Sequence, residues 1–366
     1  MTPTPRRILI TTESFNPAVD AGTAATRHLV DELLSRGNEV MVLAPAPGLA
    51  SYKGAEVVRI AVHERPGRQV KQALVDFAPD LVHVQSPGTV GRKALKHARK
   101  QQIPTVTVQT TPVSDLVAPV WHSRVAERSD VLLTTSRWLV PELGRVGAQA
   151  EVWYPGTDTD TFSPARRDET LHEHWSRTRK QDTPLAPDLP MTVVGYAGRL
   201  DHAHAIGRLV DLVGLPGVRL VVIGDGPHKA WLQKRLPGAK FTGHLDSADL
   251  GRAVASLDIL VHPGEHESCC HPLREAAASG VPVIAPRAGG AIEVVRHQES
   301  GLLFEPGDYR SFKQAVSNLA ADQERAALGR DGRALAEERT WSDAVDELIE
   351  QHYASVLTSR AIEHAG

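Results

Sequence analysis

Cysteine is nearly absent from this sequence, whose 366 residues include only two cysteines, the adjacent Cys269 and Cys270. Neighbouring cysteines are poorly placed to bridge each other, so a disulfide framework is excluded and a reducing compartment is favoured. The sequence also lacks a run of about 18 apolar residues, the length that spans a bilayer, and its first residues lack the apolar run of a signal peptide. We therefore expect a cytoplasmic protein, either in solution or at the inner face of the membrane.

An excess of one charge is missing as well. Lysine and arginine together number 41 and aspartate and glutamate 44, a formal net charge of -3. A protein that covers nucleic acid needs a basic surface to neutralise phosphates, so we expect no nucleic-acid partner. One local basic run, GRKALKHARK at 91–100, is present. We interpret it as the solvated face of a helix, with docking on an anionic membrane or acceptor as the alternative.

Short runs rich in β-branched residues alternate with helical patterns through the first half of the chain. Their nearly continuous apolar character is typical of a parallel sheet covered on both faces. Between the first two runs, TAATRHLVDELLSRG places its leucines and Val30 on one helical face. The sequence therefore predicts a doubly wound α/β domain over 1–163. Its expected strands are at 6–12, 39–45, 56–62, 80–85, 105–110 and 131–136.

The alternation breaks at 164–190, a charged segment with prolines that we interpret as a connection between domains. It then restarts and predicts a second α/β domain over 191–340, and after Pro306 the pattern is helical to the end. Two α/β domains in tandem imply a ligand cleft between the carboxyl ends of two sheets. The expected strands of the second domain are at 191–199, 218–226, 239–245, 258–264, 281–287 and 301–307.

The stretch GEHESCCHPLREAAASG at 264–280 concentrates carboxylates, histidines and both cysteines. His266 and Glu267 followed by His271 look like the zinc motif HExxH, but the second histidine comes one residue too late to share a helical face with the first. A catalytic cysteine would need a histidine partner and a third orienting group, and nothing further in the stretch supports one. A metal site and a cysteine nucleophile are therefore the weaker interpretations.

The two glutamates of the same stretch suggest a different chemistry. Pro272 suits the first turn of a helix, so we expect a helix from about His271 that ends before Gly280. Glu267 would then lie on the loop before the helix and Glu275 one turn into it. The exposed amides at a helix start bind anions. Carboxylates on either side of a bound phosphate would hold hydroxyl groups, an arrangement that fits a nucleotide-sugar.

Nine segments carry a resemblance to a known family: TTESFNP, RHLVDELLSRGNEV, PDLVHVQSP, GTDTDTFSP, GYAGRL, LVVIGDG, FTGHL, DILVHPGEHES and EAAASGVPVIAPRAGG. They are similar to the retaining GT-B glycosyltransferases with the signature Glu, seven residues, Glu (family 4 type). Within these, the chain most resembles the actinobacterial GDP-mannose-dependent α-mannosyltransferases, over most of residues 6 to 305. The resemblance implies two Rossmann-like domains that face a cleft, with residues 341–366 as a C-terminal helix returning to the first domain.

The same resemblance implies an activity, the retaining transfer of a sugar from a nucleotide-diphospho-sugar to a hydroxyl acceptor. GDP-mannose is the favoured donor and a UDP-sugar remains open, while the acceptor would be a lipid, a glycan or a small molecule. No cofactor or metal is expected if arginine and helix amides carry the phosphate charge. The pair Asp158 and Asp160 looks like the metal-binding carboxylates of another glycosyltransferase fold, but its context matches a structural turn of this family.

The resemblance also implies the roles of individual residues. Glu275 would bond the ribose hydroxyls, and Glu267 would contact the transferred sugar. Arg199 would neutralise the leaving phosphate, and Gly22, in a loop after the first strand, would let the backbone approach it. The plain alternatives are a surface ion pair for Arg199, an ordinary turn at Gly22 and a buried cap for Glu275. The implied catalytic residues are Arg199, His204 and Glu267. The implied donor site comprises Gly22, Arg199, His204, Leu245, Glu267, Cys270, His271, Leu273 and Glu275.

The sequence departs from the family at three places. His204 stands where a lysine is usual, and because histidine titrates near neutral pH we expect an activity that survives but favours mildly acidic conditions. The segment SCCHPLR, at 268–274, changes the wall of the donor pocket, and the acceptor side of the first domain looks trimmed. His204 and the trimmed first domain favour, as an alternative, a catalytically degenerate GT-B protein that binds nucleotide or serves as a partner. The retained Arg199, Glu267 and Glu275 favour the enzyme, and a sugar-nucleotide epimerase of related fold is a more distant alternative.

Overall fold

Residues 5–18, 20–177 and 191–365 are the part of the chain that the structure, a computed structural model, describes. They belong to two α/β units. The first comprises Met1–Gly156 together with Trp341–Gly366, and the second comprises Thr157–Thr340. None of the described helices is long and apolar enough to cross a bilayer.

The first unit is built on an eight-stranded sheet in the order β3-β4-β2-β1-β5-β6-β7-β8. All neighbouring strands are parallel except β3 and β4, which pair antiparallel. The strands are β1 Arg7–Thr11, β2 Glu39–Pro45, β3 Ser51–Tyr52, β4 Ala55–Ile60, β5 Leu81–Val84, β6 Thr105–Gln109, β7 Val131–Thr134 and β8 Glu151–Val152.

Helices cover both faces of this sheet, as the apolar strands require. Successive side chains of β1 point to opposite faces, so Ile8 and Ile10 belong to one core cluster and Leu9 to the other. The helices of this part of the unit are α1 Ala21–Ser35, α2 Pro66–Phe77, α3 Thr89–Gln101, α4 Ala118–Arg124 and α5 Leu139–Arg145. Helix α1 packs on the first cluster, and α2 and α3 pack on the second.

The second unit has a six-stranded, wholly parallel sheet in the order β11-β10-β9-β12-β13-β14. Its strands are β9 Thr192–Ala197, β10 Val218–Ile223, β11 Lys240–Gly243, β12 Ile259–Val261, β13 Val283–Pro286 and β14 Gly301–Phe304. Its α-helices are α6 Glu169–Ser176, α7 Lys229–Arg235, α8 Ser247–Ala255, α9 His271–Ala278, α10 Ala291–Val294, α11 Tyr309–Ala321 and α12 Arg325–Glu337.

Strand order reverses beside β9, which has β10 and β11 on one side and β12 to β14 on the other. In open parallel sheets ligands bind outside the carboxyl ends of the strands at such a reversal. The loops that leave β9 and β12 carry Arg199, His204 and Glu267, so the topology alone brings three of the predicted site residues to one edge of the sheet.

The C-terminal helices return to the first unit, as the sequence predicts. They are α13 Trp341–Glu347, a π-helical turn Leu348–Tyr353 and α14 Ala354–Ala365. Trp341 and Leu348 join the same core cluster as Ile8. The indole Nε1 of Trp153 donates to the carbonyl oxygen of Ala344 at 2.8 Å. These contacts make the last helices part of the first hydrophobic core.

All twelve strands expected from the sequence are present, and most end earlier than expected because the last residues belong to loops. The short strands β3 and β8 were not expected. The units divide at Gly156 and Thr157 rather than at 163, since Phe162 is buried in a core cluster of the second unit. The expected connection at 164–190 begins with a 3-10 turn, Pro164–Arg166, and continues into α6, whose His172 contacts Asp258 within the same unit. Residues 178–190 of that connection lie outside the described residues.

Candidate active site

The loop that leaves β9 carries Arg199 and ends in a 3-10 turn over His202–His204. Asp201 caps this turn, because its side chain accepts from the backbone N–H of His204. Its Oδ1 also lies 2.6 Å from Nδ1 of His204, and its Oδ2 accepts from Nε of Arg199 at 2.8 Å. One carboxylate therefore holds the two side chains that the resemblance assigns to the leaving phosphate.

Asp201 itself was not predicted as a site residue. Burial would raise its pKa, but the hydrogen bonds and charge of His204, with the hydrogen bond of Arg199, outweigh burial and hold the pKa below its usual range. The side chain of Arg199 is 64% exposed, so the guanidinium remains accessible beyond this pairing. The spacing Arg199, Asp201, His204 was the available signal, since aspartate before a short helical turn is a frequent cap.

Glu267 lies on the loop that leaves β12, as predicted. Its Oε1 lies 2.6 Å from Nε2 of His262 and 3.9 Å from Nε2 of His204. Burial would raise the pKa of Glu267, but the charges of His262, His204 and His271 and the His262 hydrogen bond lower it overall. The carboxylate is therefore held ionised between two imidazoles. His262 was missed, because its contact with Glu267 depends on the path of the loop between them.

Two glycines later in the chain hold this loop in place. The backbone N–H of Gly290 donates to the carbonyl oxygen of Glu267 at 2.7 Å. A Cβ added at Gly290 would lie 2.1 Å from the carbonyl oxygen of Ser268, which no side chain tolerates. Gly289 has a positive φ of 57°. The pair in APRAGG is thus needed for the close approach of two backbones.

The predicted helix is α9, which begins at His271. Its N-cap residue, Cys270, has φ 48° and ψ 44°, a left-handed conformation that favours glycine. The Cys270 side chain is 1% exposed, and burial raises the pKa of its thiol well above the usual range. A buried neutral thiol is a poor nucleophile, so the structure does not support the cysteine interpretation. Leu273 is wholly buried one turn into the same helix.

Glu275 follows on α9 as a partly buried carboxyl group. Burial, with a smaller contribution from the charge of Asp158, raises its pKa to about 7. Oδ1 of Asp158 accepts from the backbone N–H groups of Asp160 and Thr161, so the pair Asp158 and Asp160 forms the expected turn. A carboxyl group with so high a pKa in the free protein is typical of a site prepared for hydrogen-bonding partners.

Leu245 and Gly22, the other predicted donor-site residues, lie in different units. Leu245 is partly buried after β11 and packs against the same core cluster as Cys270 and Leu273. Gly22 was expected in a loop, but it lies in the first turn of α1 because Asp20 caps the helix by accepting from the N–H of Thr23 at 2.8 Å. A Cβ added at Gly22 would meet only Oδ1 of Asp20, at 3.4 Å.

The zinc-motif lookalike does not form a helix-borne pair, since His266 lies on the loop and His271 opens α9. Within 5–18, 20–177 and 191–365, no group of three His, Cys, Asp or Glu side chains could hold a metal ion. Two sets of side chains in the second unit lie next to each other, joined by the contact between His204 and Glu267. One is Arg199, Asp201 and His204, and the other is His262, Glu267 and the start of α9.

Two family models match the chain. One, described as Glycosyltransferase Family 4, matches residues 23–161, and the other, described as Glycosyl transferases group 1, matches residues 192–322. A GDP-mannose-dependent alpha-mannosyltransferase of Mycolicibacterium smegmatis is 34% identical over 98% of this chain and 100% of its own length. The protein of the same name from Corynebacterium glutamicum is 31% identical over 96% of this chain and 90% of its own.

Solved structures agree with the predicted fold. The crystal structure of Anabaena Alr3699/HepE in complex with UDP-glucose superposes with a TM-score of 0.78 and covers 96% of this chain and 100% of its own. At 20% sequence identity this likeness shows the fold, and it confirms the GT-B architecture expected from the sequence.

Proposed function

The chain belongs to the family 4 glycosyltransferases and is a hexosyltransferase, and from this premise we propose that it transfers mannose from GDP-mannose to a hydroxyl acceptor with retention of configuration. A UDP-sugar is the second donor candidate. The observation that carries the proposal is the placement of Glu267 and Glu275 on either side of the start of α9. The identity with two GDP-mannose-dependent relatives supports the choice of donor.

The proposed roles follow from charge and position. Arg199 and protonated His204 would neutralise the diphosphate as it leaves, and the N-terminus of α9 would add its amide dipoles. Glu275 would accept hydrogen bonds from the ribose, and Glu267 from the transferred sugar. GDP-mannose is α-linked at its anomeric carbon, so an α-linked product, as in the relatives' name, means net retention. With cationic side chains at the phosphate, we propose that no metal is required.

The first test is a thermal-shift panel of GDP, UDP, ADP and their common sugar conjugates, with wild type and Glu275→Ala. A ligand that binds only the folded state at 100 times its Kd adds about 2.7 kcal/mol of stability. We expect GDP and GDP-mannose to stabilise the wild type but not the variant. Asp249→Ala, at an exposed ion pair of α8, is the control and should respond as the wild type does.

A second measurement tests turnover. GDP-mannose would be incubated with candidate acceptors, and the anomeric configuration of the product read by NMR, with and without EDTA. An α-linked product in both arms supports retention without a metal. A β-linked product, loss of turnover with EDTA, or stabilisation by UDP alone would contradict the corresponding part of the proposal.

For the acceptor side we propose contact with an anionic lipid surface. The basic run forms one face of α3, whose opposite face buries Val90, Ala94 and Leu95. Burial lowers the pKa of His97 on this helix, and four neighbouring lysines, Lys71, Lys93, Lys96 and Lys100, lower it further. Positive potential of this kind favours anionic headgroups.

Exposed apolar side chains precede and enter α4 in the same unit. Leu116 is 91% exposed, Val117 49% and Val120 50%. Apolar residues beside a basic surface suit an interfacial contact. Sedimentation with phosphatidylglycerol vesicles should carry the protein down at low salt, and phosphatidylcholine vesicles should not. Lys96→Glu with Lys100→Glu should abolish this binding, whereas Lys234→Glu, on α7, should not.

A further inference from the structure

His262 is the buried neighbour of Glu267. It directly follows β12, and its backbone N–H donates to the carbonyl oxygen of Ile284 on the adjacent strand at 2.9 Å. The His262 side chain is wholly buried, whereas that of Glu267 is 22% exposed. With Nε2 of His262 2.6 Å from Oε1 of Glu267, the imidazole lies behind the carboxylate and supports it from the core.

Packing fixes the orientation of this imidazole. The ring stacks on Tyr196, with centroids 6.1 Å apart and an interplanar angle of 5°. Tyr196 is itself held on β9, because its hydroxyl donates to the carbonyl oxygen of Arg199 at 2.8 Å. A ring restrained by both β9 and β13 can present its Nε2 in one direction only.

Gly264 makes room for the pair. A Cβ added there would lie 2.8 Å from Oε1 of Glu267 and 3.2 Å from Nε2 of His262. The other ring nitrogen, Nδ1, is buried and has no hydrogen-bond partner in the described part of the chain. The useful proton of His262 is therefore the one on Nε2, which is directed at Glu267.

Both neighbouring imidazoles approach the same carboxylate oxygen. Nε2 of His204 lies 3.9 Å from Oε1, on the side of the loop that leaves β9. Both contacts are made to Oε1 rather than to the second oxygen, Oε2. The result is a row of groups that runs Asp201, His204, Glu267, His262.

We propose that His262 is a positioning residue for the glycosyl transfer: it holds Oε1 of Glu267 from the buried side, so that Oε2 faces the transferred sugar. This rests on the proposed function, in which Glu267 contacts that sugar. His262 does not touch the substrate. It acts through Glu267. Without His262, the carboxyl group of Glu267 would be held on one side only and could rotate.

Removal of His262 should change the pH dependence of the activity. The titratable groups that face Glu267 or its support are His262, His204, His271, Tyr196, Asp201 and Cys270. Burial alone would raise the pKa of Glu267, and His262 is the largest influence that lowers it. If His262 is removed, the pKa of Glu267 should rise. Activity that needs ionised Glu267 should then be lost at a higher pH as the solution is acidified.

Two variants separate positioning from folding. His262→Leu removes the donor, whereas His262→Gln keeps an N–H group near the position of Nε2. The matched control is His172, whose Nε2 lies 3.0 Å from Asp258 at the other end of β12 and whose side chain is 17% exposed. His172→Leu also breaks a histidine–carboxylate pair, and it should cost stability without changing the pH profile.

The readouts are GDP release from GDP-mannose with the candidate acceptors present, between pH 5 and pH 9, binding of GDP alone, and the carboxyl 13C titration of Glu267, assigned by difference from Glu267→Gln. For His262→Leu we expect about a tenfold to hundredfold slower release. GDP affinity should stay within about twofold of the wild type, since GDP lacks the transferred sugar that Glu267 contacts, while the acid limb and the Glu267 titration move to higher pH. His262→Gln should restore most of the rate.

Equal rates in His262→Leu and wild type, an equal loss in both His262 variants, or an unmoved Glu267 titration would overturn the positioning role. If the wild type releases no GDP from GDP-mannose with any of the acceptors, the proposed transfer is not supported and the 13C titration decides alone. A Glu267 titration raised in His262→Leu, and raised less in His262→Gln, which keeps the hydrogen bond but not the charge of the imidazole, then supports positioning, and an unchanged one refutes it.

Discussion

Asp201 holds His204 with a 2.6 Å contact between Oδ1 and Nδ1, which directs Nε2 of the imidazole towards Glu267. The usual lysine of the family would bring a charge that persists through the physiological range, whereas a histidine is charged only when protonated. The hydrogen bond from Asp201 keeps the replacement oriented. The cost of the substitution should therefore appear in the pH dependence of the reaction more than in its geometry.

The first prediction concerns His204→Lys. We expect the variant and the wild type to have similar rates at the acidic end of the profile, since an imidazole and an ammonium group both carry a charge there. Near pH 8.5 the variant should be about tenfold faster, because a charged hydrogen bond to the leaving phosphate contributes about 1.5–3 kcal/mol. The measurement is kcat against pH. His202→Lys, in the same turn but with an exposed side chain, should leave the profile unchanged, and superimposable profiles for His204→Lys and wild type would refute the role.

The second prediction follows from the pKa of Glu275, which burial and Asp158 raise to about 7. An unfolded glutamate titrates near 4.3, so between these values the folded state binds more protons than the unfolded state. Stability should therefore fall as pH rises from about 4.5 to 7 and stay lower above. Glu275→Gln does not titrate and should not lose stability in this way. At pH 8.5 its free energy of unfolding should exceed that of the wild type by up to about 3 kcal/mol.

Urea unfolding of both proteins from pH 4.5 to pH 8.5 measures this difference. Groups common to the two chains cancel, so the difference should be smallest at pH 4.5 and grow with pH. The same variant should lose the stabilisation by GDP. A difference independent of pH would show that Glu275 titrates normally in the free protein.

Most of the fold could be predicted because strands buried on both faces are continuous apolar runs. The expected strand at 39–45 coincides with β2, and the helix expected near His271 begins there. The division between the units was less predictable. Burial of Phe162 and the contact between His172 and Asp258 join the segment after Gly156 to the second unit, and neither contact leaves a periodic pattern.

The site residues that a family motif specifies could be named from the sequence. The residues that only the path of a loop brings to the site were missed. Glu267 and Glu275 stand in a signature, whereas Asp201 and His262 are brought to the site by side-chain contacts of 2.6–2.8 Å. Such contacts depend on the path of a loop, which residue type and spacing do not determine. Gly22 is the opposite case. Asp20, the cap residue that places Gly22 in α1, is a helix-start signal that the sequence itself contains.

The third prediction compares Cys270→Gly with Cys270→Ala. Both remove the buried thiol, so their difference isolates the backbone at φ 48°. In ordinary helical positions alanine is the more stable of the two by about 1 kcal/mol. Here the left-handed conformation should reverse the order, with glycine more stable by about 1 kcal/mol. Urea midpoints measure it, and an alanine variant at least as stable as the glycine variant would contradict it.

The fourth prediction separates stability from function at Gly22. Alanine suits a helix better than glycine, and a Cβ here meets only Oδ1 of Asp20 at 3.4 Å, so Gly22→Ala should unfold at an equal or slightly higher urea concentration. If the backbone at this position approaches the donor phosphate, the same Cβ should raise the KM for the donor about tenfold. Gly144→Ala is the matched control, because it lies in α5 with nothing within 4 Å of its Cβ, and it should gain stability at unchanged KM. An unchanged KM in Gly22→Ala would make the glycine a plain helix-start residue and remove it from the donor site.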